Sequence, residues 1–484
     1  MADPRNREPT VSRPLFLANT EPPSSRSENA YIPKDHGQMN FTSSRRRFAH
    51  AAVAGIALTG LLTACGGSDS GDDAKSKSSG PVTLDFWGWA NGQEAVVKAF
   101  NASHKDIKLK YTKVTDQLTM QKQLTNAVKA GNAPCLVQNT AEYVTSWVSQ
   151  GALADITQYV ESSKDKFNPG SWASAQVQGK MYGVPTSSAP NFTIYRTDIF
   201  QKYGLKPPAT WDDFIAAGKE LKKHGIKITN FAGEDPSTLE VLAMQAGAHW
   251  YSIDGNSWKV NFQDPGSLKA AQVIQDIIDS DLNSKLSFAD YAAVQRNYDN
   301  GGSATRQIST WQQSGMVANF TKSFGKWALA PWPTFKGEAP KTPAGTNLTG
   351  SVTLVAKQCK NQEQAAQAAL WMSTDQTAVK TMASPETGNG VFPALADSDS
   401  YVAEATSQKL LGKNYEAAQQ VVKDSLKTVT TDWTFGPDWT AMFTEMQAGW
   451  AKVVNKQEKV TDLLAHMQQW TVNDLKSRGI SVKG

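Results

Sequence analysis

From Val82 onward the apolar positions fall into an alternating order of strand and helix. Val82-Thr83-Leu84-Asp85-Phe86-Trp87 repeats with period two, which predicts a half-buried strand, and Glu94–Ser103 carries Val97 and Phe100 at helical spacing. Ile107–Val114 alternates again. Leu118–Ala130 reads as a helix stopped by Gly131, and Cys135-Leu136-Val137 as a third strand. Strand, helix, strand, helix, strand predicts a parallel sheet in an α/β fold. Such sheets bind ligands beyond the carboxyl ends of their strands, which places a pocket edge at Trp87–Gln93 and Gln138–Glu142.

A second α/β unit starts near Ile194. Thr210-Trp211-Asp212-Asp213 is a helix start, with Thr210 as cap and two acids at the positive end of the helix. The helix Phe214–His224 ends at Gly225, before a strand at Ile226–Asn230. Helices follow at Leu239–Ala246 and Leu268–Ser280. After Ala328–Pro333 come a strand, Val352–Ala356, and a helix, Gln362–Ser373; from Val402 the pattern is almost wholly helical. No internal repeat is present.

The segment before Val82 follows other rules. Arg45-Arg46-Arg47, the apolar run Ala51–Leu62 and the small residues Thr63-Ala64 ahead of Cys65 form a secretory signal with a lipobox. The run is shorter than the roughly 18–20 residues that span a bilayer. Cleavage before Cys65 leaves its thiol to carry lipid, and Gly66–Gly80 is then a Gly/Ser tether. Ser44–Phe48 also fits a twin-arginine signal. Met1–Gln38 has no apolar period and reads as disordered; Met39 stands where a start codon for this signal belongs.

Beyond the leader about 420 residues remain, too many for one core and suited to two lobes. They hold 41 basic and 40 acidic residues without basic runs, which excludes nucleic acid as the expected partner. Cys135 and Cys359 either pair or stay as buried thiols; spacing does not decide. His104, His224, His249 and His466 are scattered, so no metal site is expected. No Gly-x-Ser-x-Gly elbow or P-loop occurs. A secreted glycoside hydrolase is the competing reading, since it too needs Trp platforms and two carboxylates.

Four stretches carry a family resemblance. They are Phe86-Trp87-Gly88-Trp89 before a helix, Ala130-Gly131-Asn132-Ala133-Pro134 before a strand, Gly179–Pro185 with Ile194–Asp198 and Pro207–Phe214, and Trp332–Gly337. In this order they resemble the carbohydrate-type extracellular solute-binding proteins of ATP-binding-cassette importers, which are maltose-binding-protein-like. Cys135 stands where the family often has Asp, and Arg196 where Asn is usual. The resemblance implies an α/β, two-lobed, periplasmic-binding-protein-like fold with a hinge and an interlobe cleft. Lobe 1 is expected at 81–190 with 331–395, and lobe 2 at 191–330 with 396–484. Crossings are expected at Pro185–Phe192, Leu329–Pro333 and near Val391–Ala396.

It further implies a monomeric receptor, not an enzyme, that needs no cofactor. Its partners would be a carbohydrate, permease subunits, and the outer face of the bacterial cell membrane through lipid on Cys65. A non-sugar solute is the other ligand class. All 15 tryptophans lie beyond the leader, and sugar sites combine aromatic platforms with amides, acids and hydroxyls. Trp89, Asn91 and Gln93 follow the first strand, and Asn139 and Glu142 the third; Asn91 and Asn139 could equally cap helices. Ser187 and Asn191 lie in the first crossing, and Trp332 in the second, where packing and binding weigh equally. From lobe 2 the candidates are Trp250, Trp311 and the Asp432, Trp433 and Trp439 segment. Trp211 and Trp371 are expected to be core.

Overall fold

In the computed structural model the described residues are 80–343, 350–430 and 432–483. The leader, Cys65 and the tether before Gly80 lie outside them.

Ten of the fifteen strands among the described residues position the lobes and the site: β1 (Val82–Gly88), β2 (Ile107–Lys113), β3 (Leu136–Thr140), β4 (Gly183–Pro185), β5 (Ser187–Ser188), β6 (Asn191–Arg196), β7 (Thr305–Ser309), β8 (Trp327–Ala330), β9 (Ser351–Val355) and β10 (Phe392–Pro393). The helices that bear on the site are α1 (Gln93–Ser103), α2 (Gln117–Ala130), α3 (Val144–Ser149), α4 (Trp211–Lys222), α5 (Ser237–Gln245), α6 (Pro265–Asp279), α7 (Tyr291–Asn300), α8 (Gln312–Asn319), α9 (Trp439–Val454) and α10 (Val460–Ser477).

The first lobe is a five-stranded sheet in the order β2-β1-β3-β9-β4. Along β1, Leu84 and Phe86 face the core while Thr83 and Asp85 are exposed, as the alternation demands. Asp116 caps α2 by accepting from the Thr119 N–H, and Gly131 closes it at φ 75°. The expectation of a parallel sheet needs correction. β1 is parallel to β2 and β3, but β9 runs antiparallel to both β3 and β4. The chain enters β9 only after crossing the second lobe, so its direction is not set by a strand–helix–strand unit. Cys135 and Cys359 are bonded as a disulfide that ties the start of β3 to the segment just after β9.

The second lobe centres on β7-β6-β8, all antiparallel. Thr210 and Asp213 form a reciprocal capping box on α4. The strand expected at Ile226–Asn230 is reduced to single bridges at Lys227 and Thr229. Pairing of β6 with its neighbours gives the sheet one apolar face, with Phe192, Ile194, Ile308, Trp327 and Leu329. These pack with Tyr298, Met316 and Leu410 in a cluster of their own. The opposite face carries Asn191, Thr193, Gln307 and Ser309.

Between the sheets, β5 pairs with β10, Ser187 opposite Pro393. Gly350, at the entry to β9, lies so close that an added Cβ would stand 1.7 Å from the Ser187 carbonyl oxygen. The lobes also touch away from these crossings. α9 packs on α3 and on the 3₁₀ turn Ala141–Tyr143, and the Ser149 hydroxyl donates to the Pro437 carbonyl at 3.0 Å. A single apolar cluster joins lobe 1 to Phe214, Ile274, Trp439 and Met446 of lobe 2.

Candidate functional site

Where β7 passes the start of α5, lobe 2 encloses a cavity of about 80 Å³. Trp211 and Trp332 form one wall, their rings edge to face at 6.3 Å, and Asn230, Asp235, Arg306 and Gln307 supply its polar lining. Trp211 is held by its indole N–H, which donates to Gln245 at 2.9 Å. Trp332 is 4% exposed, yet its indole nitrogen has no partner among the described residues. The same holds for Arg306 Nη1 and Gln307 Nε2. An unmet buried donor costs about 1–3 kcal/mol, more when charged. Three such donors belong to residues that line this one cavity.

Arg306 belongs to the apolar phase of β7, beside Ile308, and its guanidinium lies 5.6 Å over the Tyr298 ring. Asp235 precedes α5 and accepts from the Ser237 N–H at 3.1 Å. Burial pushes its carboxyl up, as does Glu234, while the Ser237 bond and Arg306 oppose the shift. Tyr143, on the lobe 1 side, is raised by burial and then by the carboxylates of Glu142, Glu240 and Asp235. Glu240 of α5 and Asp235 just before it thus lie near enough to act on Tyr143 of lobe 1.

A second group of unmet atoms lies on the polar face of the lobe 2 sheet. Asn191 Oδ1, Thr193 Oγ1 and Ser309 Oγ are buried without partners among the described residues, as is Thr310 Oγ1 just beyond β7. Asn191 donates its Nδ2 to the Pro343 carbonyl. In lobe 1, Asn139 accepts from Gln121 at 2.8 Å while its own Nδ2 is unmet. Glu142 is buried and accepts from Gln117 at 3.2 Å.

The remaining sequence candidates are dispersed. Gln93 and Ser187 line a smaller cavity in lobe 1, about 40 Å³, with Gln138, Thr353, Met372 and Met382. Gln93 accepts from the Tyr111 hydroxyl, and the Ser187 hydroxyl accepts from the Ser351 N–H. Trp89 is half-buried, its N–H bonded to Gln138. Asn91 is exposed and takes a bond from Lys113; α1 is entered through Gly92 at φ 85°, without an Asn cap. Trp311 is half-buried at the start of α8, next to the cavity-lining Gln312.

The lobe 2 tryptophans need the clearest correction. Trp250 is fully buried, donates to Ser267 at 2.9 Å and meets Trp433 at 5.2 Å. Trp439 is fully buried against Phe435 and Tyr251. Trp250 and Trp439 are thus packed into an aromatic core where α9 begins, and Trp433 lies half-buried against it. Asp432 is exposed, 3.9 Å from His249. Trp211, expected to be core alone, is core and cavity wall together.

Asp235, Arg306 and Gln307 were not singled out from the sequence. One signal was available. In Thr305-Arg306-Gln307-Ile308-Ser309 the charge stands in phase with the isoleucine, on the side a strand buries. Among the described residues no cluster of His, Cys, Asp and Glu could hold a metal, and no helix is long and apolar enough to cross a membrane.

Two α/β lobes joined by crossing strands, with unmet polar groups between aromatic walls, define a ligand-binding protein of the two-lobed periplasmic type. The chain belongs to the bacterial extracellular solute-binding protein family, whose model matches residues 90–379. It is 26% identical over 321 residues to an arabinooligosaccharide-binding protein of Bacillus subtilis, covering 64% of this chain and 72% of that one. A lactose-binding protein of Rhizobium radiobacter is 30% identical over 194 residues, 39% of this chain and 44% of the relative. Among solved structures, the galacto-N-biose/lacto-N-biose I-binding protein of Bifidobacterium longum superposes with a TM-score of 0.74 at 25% identity. That match covers 84% of this chain and all of the other. A binding protein from B. animalis subsp. lactis, solved with β-1,6-galactobiose, gives 0.73 at 22% over the same shares.

Proposed function

We propose that this protein is a lipid-anchored extracellular receptor that binds an oligosaccharide in its cleft and delivers it to an importer permease, without transforming it. The observation that carries the reading is the cavity walled by Trp211 and Trp332 with three unmet donors, beside the unmet hydroxyls and amides of β6 and β7. A sugar ring offers an apolar C–H face to the aromatic rings and a rim of oxygens to the donors. The sugar-binding relatives support the same ligand class. Family membership supports docking to a permease, and the lipobox supports the anchor on Cys65.

The test is a thermal-shift screen of purified protein with lactose, maltose, arabinobiose, β-1,6-galactobiose and lacto-N-biose, followed by calorimetry and by chromatography of the incubated sugar. At least one sugar raises the melting temperature and is recovered intact. No shift with any sugar, or shortened products, overturns the reading. For the anchor, Cys65→Ala should release the protein into the medium or leave it with an uncleaved leader; a processed, membrane-bound variant contradicts it.

A further inference from the structure

Four lysines crowd the nine residues 105–113, Lys105, Lys108, Lys110 and Lys113, with Asp106 as the single acid among them. β2 is the terminal strand of the five-stranded sheet, so this run lies along an edge of lobe 1. The edge adjoins the point where the chain enters the body. Val82 pairs with Ile107, and its N–H donates to the Asp106 carbonyl at 2.8 Å.

α1 adds to the same edge. Asn101, near its end, accepts from the Leu109 N–H at 2.8 Å and donates to the Leu109 carbonyl at 2.9 Å. Lys98 stands three residues earlier, on the side of α1 that Asn101 presents to β2. Lys108 is committed to the fold, its ammonium donating to the carbonyls of Asn101 and His104. Lys98 and Lys105 are exposed and make no hydrogen bond or ion pair among the described residues. Lys110 lies 3.6 Å from Asp85, both well exposed, and Lys113 reaches Asn91. With Asp85, Glu94 and Asp106, the edge carries five lysines and three carboxylates. Lysines on an edge strand also keep it from pairing with a second chain. Here Asn101 already occupies the backbone N–H and C=O of Leu109 at mid-strand, and Lys98 and Lys105 lie off the strand. That role leaves them unexplained.

Resting on the lipid-anchor reading, we propose that this edge is a docking surface for a bilayer bearing anionic phospholipid headgroups. Ammonium groups and lipid phosphates are complementary, and each lysine held at such a surface favours docking about fivefold. Cys65 stands seventeen residues before Val82. At no more than about 3.5 Å per residue, lipid on Cys65 keeps the entry point within about 60 Å of the bilayer. A weak attraction then suffices, because the anchor has already removed freedom that binding from solution would cost. In the docked pose β1 and β2 run along the bilayer instead of pointing into it.

The experiment takes the lipidated protein, its lipid verified by intact mass, into phosphatidylcholine vesicles with and without about 30% phosphatidylglycerol. Surface lysines are acetylated briefly and read by peptide mass spectrometry. Lys98 and Lys105 should label at least about fivefold more slowly on the anionic vesicles. Lys219 and Lys452, exposed in lobe 2, should label alike on both. About 0.5 M NaCl, which shortens the screening length to roughly 4 Å, should abolish the protection. In Lys105→Gln/Lys110→Gln, docking should fall about 25-fold, so that Lys98 labels at equal rates on the two vesicles. Its melting temperature and sugar affinity should match wild type, since both side chains are exposed and the cavity lies in the other lobe. Should it fail to fold, Lys98→Gln with Lys105 as reporter carries the comparison. Equal labelling of wild-type Lys98 and Lys105 on the two vesicles overturns the inference, as does protection that persists in the double variant. Protection shared equally by Lys219 and Lys452 marks non-specific adsorption and overturns it too. If the protein carries no lipid on Cys65, the anchor reading itself has failed, and this inference with it.

Discussion

At the scale of single residues, Trp332 and Trp250 sit in different surroundings. Trp332 keeps an indole N–H unmet beside a cavity, whereas Trp250 spends its own on Ser267 inside the core. Trp332→Ala should weaken sugar binding by roughly 5- to 150-fold, equivalent to about 1–3 kcal/mol of stacking and apolar burial. Trp250→Ala should cost about 3–5 kcal/mol of stability, while the fraction that stays folded binds normally. Calorimetry and melting on the same samples check both. Nothing in the sequence separates these residues, because an aromatic in a mixed segment reads alike whether its ring meets a neighbour or a ligand. Arg306 was legible only as a charge in phase with the apolar face of its strand.

Asp438 offers a second test at this scale. It is 2% exposed, accepts from the Tyr251 hydroxyl at 2.9 Å, and burial pushes its carboxyl up to about 6. The folded state then holds the proton more tightly than the unfolded chain does. The resulting stabilisation is full below the ordinary carboxylate range and is lost as pH rises from about 4 through 6. A shift of this size corresponds to about 3 kcal/mol. Asp438→Asn should therefore flatten that pH dependence and melt higher than wild type at pH 7.5. A melting profile of the variant that still falls between pH 4 and 6 as wild type does would show another group is responsible.

At the scale of elements, local signals carried most of the lobe 1 helices and strands. The capping box at Thr210 and Asp213 and the glycine stop at Gly131 are cases in which a few neighbouring residues determine the structure. Strand direction is different in kind. The antiparallel placement of β9 depends on where the chain returns from lobe 2, which no local pattern encodes. The disulfide is likewise a product of this return, since it joins residues 224 apart in sequence. It ties β3 to the strand beside it, at the end of the sheet remote from the crossings. Replacing both cysteines with serine, or reducing the bond, should cost about 2–4 kcal/mol of stability, read as a lower denaturant midpoint. Sugar affinity should change little, because the cavity belongs to the other lobe.

At the scale of the molecule, the lobes meet at the crossings and again where α9 packs on α3. Two lobes joined by crossing strands predict that ligand compacts the protein in solution. X-ray scattering with and without a bound sugar should show a smaller radius of gyration in the complex; superimposable curves would rule out hinge closure.

Lobe 2 divides its apolar residues between a cluster shared with lobe 1 and a private one around Tyr298 and Trp327. Only the shared cluster can be parted when the cleft opens, so the empty receptor must wet greasy surface that the loaded one keeps dry. Sugar binding should then carry a heat-capacity decrement larger than the small, polar ligand itself could produce, because each Å² of apolar surface removed from water contributes about −0.45 cal/mol/K. The slope of binding enthalpy against temperature thus measures how far the protein closes, independently of which sugar it holds.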